Sequence, residues 1–192
     1  MKINSLFHPL AGLALCTSLS AGAATMEGLV FEDGVRLANR ELRLNGLGIR
    51  AVFIIRGYVA GLYLGEKAVT SQEVTAMPGP KRLQLRMLRA AGPDDFNNAL
   101  VAGIRKNASE TELARLNGRI SQLEHTINAI GMTDMGDVIN FDYVPGLGTT
   151  LAVNGTLRGT AIAGADFYNA VLGIFVGERP VDERLKRGLL GQ

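Results

Sequence analysis

Alternation of apolar and polar positions predicts β-strands in the first half of the chain. Apolar and polar side chains alternate from Glu41 to Gly48 and from Arg82 to Arg89, and residues 52–64 form a longer run rich in valine, isoleucine and tyrosine. A period of two is typical of strands that bury one face. We therefore expect three strands here, the third with its leucines in the core and with Arg82 and Gln84 in solvent.

The period becomes helical after residue 93. A helix is predicted from Asp94 to Asn107, with acidic residues in its first turn. The segment from Ser109 to Glu112 has the sequence of a capping box and opens a second helix, which ends at Gly131. Apolar residues then recur every three or four positions from Leu113 to Ile130. We interpret this stripe as core-facing, and a short coiled coil is the alternative.

The last third of the chain returns to strands and then to helices. Asn154 and Gly155 form a strong hairpin signal between two short apolar segments. Asp137 and Asp142 are interpreted as strand-edge residues. The predicted elements cover residues 137–144, 149–153, 156–161, 165–176 and 181–190. This order predicts an α+β fold, with an antiparallel sheet covered by helices on one face.

Residues 1–23 have the features of a secretory signal. Lys2 provides the charged start, residues 10–15 are apolar, and small residues precede Ala24. The apolar stretch is too short to remain as a membrane span. We expect one domain over residues 24–192, periplasmic or secreted after cleavage. Cys16 is the only cysteine, and its removal with the signal leaves no disulfide or thiol chemistry.

Charge and motifs exclude several classes of function. The formal net charge is +2 and the basic residues are dispersed, which argues against nucleic acid as a partner. His125 stands alone on the polar side of its helix, and the acidic residues lack the spacing of a calcium loop. The glycines around Leu47 precede no helix, so they form no dinucleotide fingerprint. We expect neither a metal nor a cofactor, and the oligomeric state stays open.

Two arginines and a tyrosine lie within the apolar run near residue 55. A buried cation costs several kcal/mol unless it is paired. If the strand is unbroken from Val52, Arg56 and Tyr58 share one face, with Cα atoms roughly 7 Å apart. A guanidinium and a phenol at that spacing could hold one carboxylate, with Arg50 as a further candidate cation. The alternative is that Arg56 reaches solvent and Tyr58 fills core.

The chain resembles the chalcone isomerase-like family, specifically its exported bacterial members. The resemblance rests on four stretches in order, LNGLGIR, YVAGLYL, FNNALVAGIRKN and AVLGIFVGERPVDERLKRGLLG. It implies an open-faced β-sandwich, in which helices cover one face of a large antiparallel sheet and a ligand cleft lies between them. Non-catalytic relatives of this fold bind fatty acids through an arginine and a tyrosine, and Arg50 with Tyr58 looks similar.

The resemblance also places the catalytic positions of the plant isomerases on this chain. There an arginine is central, and a threonine, a tyrosine, an asparagine and a Thr-Met pair shape the pocket. These positions fall, in that order, at Arg50, Tyr58, Phe96, Gly103, and Ile174 with Phe175. Only the arginine is kept. Enone activation needs donors aimed at the developing oxyanion, each worth roughly 3 kcal/mol of barrier, so the changes favour binding over catalysis.

We therefore expect an exported, non-catalytic protein that binds a fatty-acid-like or other amphipathic carboxylate between sheet and helices. One alternative is an isomerase, an intramolecular lyase acting on a chalcone-like or other enone, with Arg50 and Tyr58 as its catalytic groups. The other is a cell-envelope interaction module that uses the apolar stripe. On one straight strand Arg50 and Tyr58 would lie roughly 26 Å apart. A turn near residues 48–51 must therefore bring Arg50 back, or Arg56 is the partner of Tyr58.

Overall fold

The computed structural model describes residues 22–192, so the predicted signal, with Cys16, lies outside the described residues except for its last two positions. Consecutive segments fold back on one another to form nine antiparallel strands in this part of the chain. These are β1 Ala23–Met26, β2 Leu29–Glu32, β3 Gly34–Leu37, β4 Arg40–Val52, β5 Ile55–Leu64, β6 Lys81–Met87, β7 Val138–Val144, β8 Gly148–Val153 and β9 Thr156–Ile162. Strands β3 to β9 form one sheet in sequence order, and β1 and β2 form a separate hairpin.

Helices cover one face of the large sheet. They are α1 Ser71–Ala76, α2 Pro93–Asn107, α3 Glu110–Ile130, α4 Ala165–Val176 and α5 Glu183–Leu189. Helix α4 is at the centre of the core, where Phe167, Val171 and Leu172 are fully buried. The predicted α+β class, with an antiparallel sheet and helices on one face, is confirmed. Within residues 22–192, no helix combines the length and apolar character needed to cross a membrane.

The first residue and the buried face of the long helix α3 are those that the sequence predicts. The Ser109 hydroxyl accepts the Glu112 amide, and the Glu112 carboxylate accepts the Ser109 amide. Leu116, Leu123 and Ile127 of its apolar stripe are buried in the main core. The core-facing interpretation is therefore confirmed, and an envelope module built on this stripe loses its basis.

On β6, the face away from the helices was predicted to lie in solvent. It is instead largely covered. Gln84 is only 7% exposed and donates to Asn140 at 3.0 Å. Arg82 donates twice to Asp142, at 2.7 and 2.6 Å. These polar side chains pair across β6 and β7, and the β1–β2 hairpin covers the neighbouring strands through Phe31. Asp142 is thus a buried ion-pair partner inside the sheet, and its assignment as a strand-edge residue was wrong.

The C-terminal helix α5 lies directly on the backbone of β4. A Cβ atom at Gly46 would lie 2.1 Å from the Gly188 carbonyl oxygen, and one at Gly48 would lie 2.5 Å from that of Leu185. Glycine is therefore required at both positions for this close approach. The contact fixes the start of α5, at Asp182, beside the end of β4.

Candidate functional site

A two-residue turn at Phe53 and Ile54 brings Arg50 and Tyr58 opposite each other. In the register of β4 and β5, Arg50 pairs with Tyr58 and Val52 with Ile55. The predicted unbroken strand from Val52 was wrong, and the turn comes later than residues 48–51. Neither Phe53 nor Ile54 is a usual turn residue, so nothing in the sequence indicated a turn here. The return of Arg50 to Tyr58, which the carboxylate hypothesis required, nevertheless occurs.

A β-bulge separates Arg56 from Tyr58. The register shifts between Arg50 and Ala51, which leaves one extra residue, Gly57, on β5. An extra residue reverses the alternation of faces. Arg56 forms an ion pair with Glu27 of the β1–β2 hairpin and is 62% exposed, whereas Tyr58 packs with the helix-side core. The predicted shared face of Arg56 and Tyr58 was wrong, and Arg50 is the arginine beside Tyr58.

Arg50 has a partner within the protein. Its Nη1 donates to the Ala51 carbonyl at 2.9 Å and lies 3.4 Å from Oδ2 of Asp182. Asp182 also caps α5, because its Oδ1 accepts the amides of Arg184 and Leu185. The two side chains are 25% and 15% exposed. A guanidinium has five N–H donors, and the hydrogen bonds of Arg50 within residues 22–192 use Nη1. The remaining donors are free to bind an anion.

Tyr58 is held as a neutral hydrogen-bond donor. Burial is the main cause that raises its pKa above the ordinary value of 10; Arg50 lowers the pKa and Asp182 raises it further. No hydrogen bond within the described part of the chain contributes to this shift. Its ring packs edge-on against Phe175, with centroids 6.5 Å apart. At neutral pH Tyr58 can therefore donate its proton in a hydrogen bond but cannot serve as a phenolate base.

An open cleft of about 270 Å³ lies beside Tyr58. It runs between the bulge of β5, the end of β6 and the first turns of α2. Its walls are mostly apolar and are formed by Gly57, Tyr58, Met87, Ala90, Ala91, Phe96 and Ala99, with Arg89 and Asp95 as its charged groups. Both charged residues are exposed. Arg89 is a cation that sequence reasoning did not select, because it ends an alternating strand and resembles an ordinary surface residue.

Phe96 forms a wall between this cleft and the interior. The same side chain lines a second void, of about 10 Å³, between α3 and strands β7 and β8. That void is lined by apolar groups, among them Ile127, Ile139 and Leu151. It has room for about one water-sized probe. The helix-side interior is therefore filled by side chains, and the ring of Phe96 separates the open cleft from it.

Gly103, Ile174 and Phe175 lie behind the cleft. Gly103 packs against Ile174 where α2 meets α4, and a Cβ atom there would lie 2.6 Å from Cγ2 of Ile174. The position of the family's asparagine therefore has no room for a side chain. Phe175 packs against the Tyr58 ring, and none of these three residues lines the cleft or the void. Their predicted roles in ligand binding stay predictions.

Other features offer less to an amphipathic molecule. A larger cavity of about 630 Å³ lies between α1, α2, α3 and α4, and its charged groups include Arg115, Asp166 and Arg179. Such walls do not suit a fatty tail. His125 is exposed, as predicted. Across residues 22–192, no three His, Cys, Asp or Glu side chains are grouped so as to hold a metal ion.

Comparison with known proteins agrees with this architecture. A sequence model of the family described as chalcone isomerase-like matches residues 23–191. The crystal structure of a fatty-acid binding protein from Arabidopsis thaliana is similar, with a TM-score of 0.66 and 13% sequence identity, over 88% of this chain and 96% of that chain. At that identity the likeness shows the fold alone. No curated protein sequence matches the chain.

Proposed function

The chain belongs to the chalcone isomerase-like family, and from that premise we propose that it is a non-catalytic protein that binds a fatty-acid-like or other amphipathic carboxylate. The observation that carries the proposal is the neutral Tyr58 phenol, set opposite Arg50, on the wall of an apolar cleft. A carboxylate accepts charge-assisted hydrogen bonds from both groups. The fatty-acid binding protein with a similar fold supports this class of ligand.

The same groups argue against an isomerase. Of the family's polar pocket positions, Phe96 carries no hydroxyl, and Gly103 has no room for an amide. Ile174 and Phe175 are apolar and are 3% and 4% exposed. Each missing oxyanion donor costs about 3 kcal/mol of barrier. Arg50, already contacted by Asp182, and the Tyr58 phenol remain as donors and do not replace the lost polar groups.

The proposed ligand lies with its head group near Tyr58 and its tail along Met87 and Phe96. Arg50 pairs with Tyr58 across the two strands but does not itself line the cleft, so the proposal requires its guanidinium to reach the head group past Tyr58. The cleft volume of about 270 Å³ is at the small end of ligand pockets, which hold roughly 300–1,000 Å³. A short acyl chain therefore fits this conformation, whereas a longer one requires Phe96 to move. Arg89 at the mouth is the competing cation for the head group.

Isothermal titration calorimetry with decanoate, and with decanol as the neutral analogue, tests the proposal. We expect saturable binding of decanoate that weakens about tenfold or more in Tyr58→Phe and in Arg50→Gln, because a hydrogen bond to a charged group is worth about 1.5–3 kcal/mol. Arg56→Gln, on the other face, is the matched control and should bind like wild type. Arg89→Gln shows which cation receives the carboxylate.

Three results would contradict the proposal. One is an absence of saturable binding, combined with no acyl ligand in native mass spectra of protein purified from cells. Another is equal weakening by Arg56→Gln and Arg50→Gln. The third is turnover of a chalcone or a related enone that Arg50→Ala abolishes, since that would establish the isomerase instead.

We also propose export, on the basis of the signal-like residues 1–23. Cleavage before Ala24 gives a mature chain whose measured mass lacks the first 23 residues. Cell fractionation followed by intact-mass measurement tests this, and a full-length cytoplasmic protein would contradict it. The binding proposal does not depend on the result.

A further inference from the structure

Exposed apolar side chains from three separate segments collect at one end of the large sheet, where β4, β6 and β8 end and β5, β7 and β9 begin. We call this row of strand ends the edge. At the tip of the β4–β5 hairpin, Phe53 is 99% exposed and Ile54 is 94% exposed. Since neighbouring strands are antiparallel, the loop before β7 and the β8–β9 hairpin reach the same edge. These contribute Met135 and Leu157, which are 75% and 67% exposed. Phe53 and Ile54 are adjacent in the chain and expose a joined apolar surface, and contiguous exposed apolar surface marks protein or membrane contact sites.

The hairpin tip is unfavourable for the folded chain alone. Phe53 has a φ of 54°, in the left-handed region that bulky residues rarely adopt. Its side chain makes no compensating burial, because it is almost fully exposed. Strained backbone at a position that contributes nothing to packing points to a role outside the fold.

The tip stands beside the mouth of the cleft. Gly57, which lines the cleft, follows Ile55 by two residues, and its carbonyl accepts the Leu88 amide at 2.9 Å. Ala91, on the opposite wall, pairs with Thr133 in the loop that carries Met132 and Met135. The exposed hairpin tip and the loop that carries Met132 and Met135 therefore flank the mouth of the cleft.

We propose that this edge docks on a lipid bilayer, with Phe53 and Ile54 inserted at the level of the head groups and acyl chains. A protruding apolar tip suits insertion, and the apolar faces of helices that lie in the membrane interface are buried to roughly 5–10 Å. Amphipathic carboxylates are stored in bilayers. Docking would therefore place the mouth of the cleft beside the source of the ligand. The proposal goes beyond ligand binding and does not require it.

Charge at this edge favours electrically neutral lipids. Arg56 is already paired with Glu27. The exposed acids Asp94, Asp95 and Asp134 lie on the first turn of α2 and in the loop before β7. Because these acids offset the exposed arginines Arg89 and Arg158, an anionic surface offers little attraction. Phosphatidylcholine vesicles are therefore the appropriate probe, and binding should depend only weakly on salt.

Tryptophan fluorescence provides the first test, because the chain has no tryptophan. Phe53→Trp places a single reporter at the tip, and Leu147→Trp places one on the opposite edge, where Leu147 is 53% exposed. With phosphatidylcholine vesicles, we expect a blue shift for Phe53→Trp and none for Leu147→Trp. No shift for Phe53→Trp would overturn the proposal, and so would a shift without vesicles that grows with protein concentration, since that indicates a second copy.

Vesicle flotation provides the second test. The double variant Phe53→Asn with Ile54→Ser should lose at least about tenfold in vesicle partitioning, with an unchanged or higher Tm because asparagine tolerates a positive φ. Val69→Ser with Leu147→Ser is the matched control, since both residues are 53% exposed away from this edge. Equal loss in both double variants would overturn the proposal. Decanoate binding in solution should persist in the tip variant, so failure of docking and failure of ligand binding are distinguishable.

Discussion

Arg50 of β4 lies directly opposite Tyr58 of β5, and the same guanidinium is 3.4 Å from the Asp182 carboxylate at the start of α5. The β4–β5 hairpin and the start of α5, which are 132 positions apart in the sequence, therefore meet at one point. Arg50 is neither a buried cation without a partner nor a fully solvated one. The Asp182 carboxylate already offsets the charge of Arg50. A carboxylate ligand therefore has to compete with the Asp182 carboxylate.

This competition predicts the effect of Asp182→Asn. The amide oxygen still caps α5, because asparagine and aspartate are comparable N-caps. Removing the negative charge leaves Arg50 free for the ligand, and we expect decanoate affinity to rise about fivefold, a coupling of about 1 kcal/mol. Calorimetry measures it, with Glu183→Gln on the same helix as control. Weaker binding would instead show that Asp182 orients Arg50.

Phe96→Ala should change chain-length preference. Removing the ring joins the open cleft to the small void beneath α3, so a longer tail finds apolar walls. We expect the affinity ratio of palmitate to decanoate to rise about tenfold, in line with about 0.8 kcal/mol per newly buried methylene group. Phe96→Leu keeps a side chain at this wall and is the control. An unchanged ratio would show that the tail does not take this path.

Gly103→Ala should destabilise the fold through one contact. The new methyl group would lie 2.6 Å from Cγ2 of Ile174, and overpacking of this kind costs about 1–3 kcal/mol. Ile174→Ala removes the clashing atom, so the double variant should be more stable than the sum of the two single changes predicts. Urea denaturation measures all four proteins. Additive free energies of unfolding would contradict the contact.

Asp166→Asn should weaken the fold at neutral pH but not in acid. Arg119 donates to the Asp166 carboxylate at 2.7 and 2.8 Å, and this hydrogen bonding is the main cause that lowers its pKa below the ordinary value of 3.8. A carboxyl group with a lowered pKa stabilises the folded state above its unfolded pKa, and that contribution is lost as pH falls through the folded value.

At pH 7 we expect a loss of about 0.5 kcal/mol, since the pair is partly exposed. Thermal unfolding of wild type and Asp166→Asn between pH 7 and pH 2 measures the difference. It should shrink below about pH 4. A difference that stays constant with pH would mean that Asp166 acts through packing alone.

Local signals in the sequence predicted much of the fold. The capping box at Ser109 and the hairpin at Asn154 and Gly155 depend on residues three or fewer positions apart, and both are present. Asn154 and Gly155 have positive φ angles of 51° and 78°, as such a tight hairpin requires. Alternation likewise located β6 and β7.

The site depended on features that local patterns do not carry. The turn at Phe53 and Ile54 consists of strand-forming residues, so a strand was predicted through it. The bulge at Gly57 moved Arg56 to the other face. Asp182 reaches Arg50 across 132 positions of sequence, and no spacing rule connects them. Asp142 was placed at an edge because its partner, Arg82, is 60 positions away.

The seating of α5 on Gly46 and Gly48 also has a kinetic consequence. Asp182 can meet Arg50 only after nearly the whole polypeptide is available, because closing so large a loop must precede any gain from the contact. The contact between Arg50 and Asp182 should therefore be among the last to form. Until Asp182 and α5 emerge, a growing chain would have a nearly complete sheet in which Arg50 lacks this internal partner.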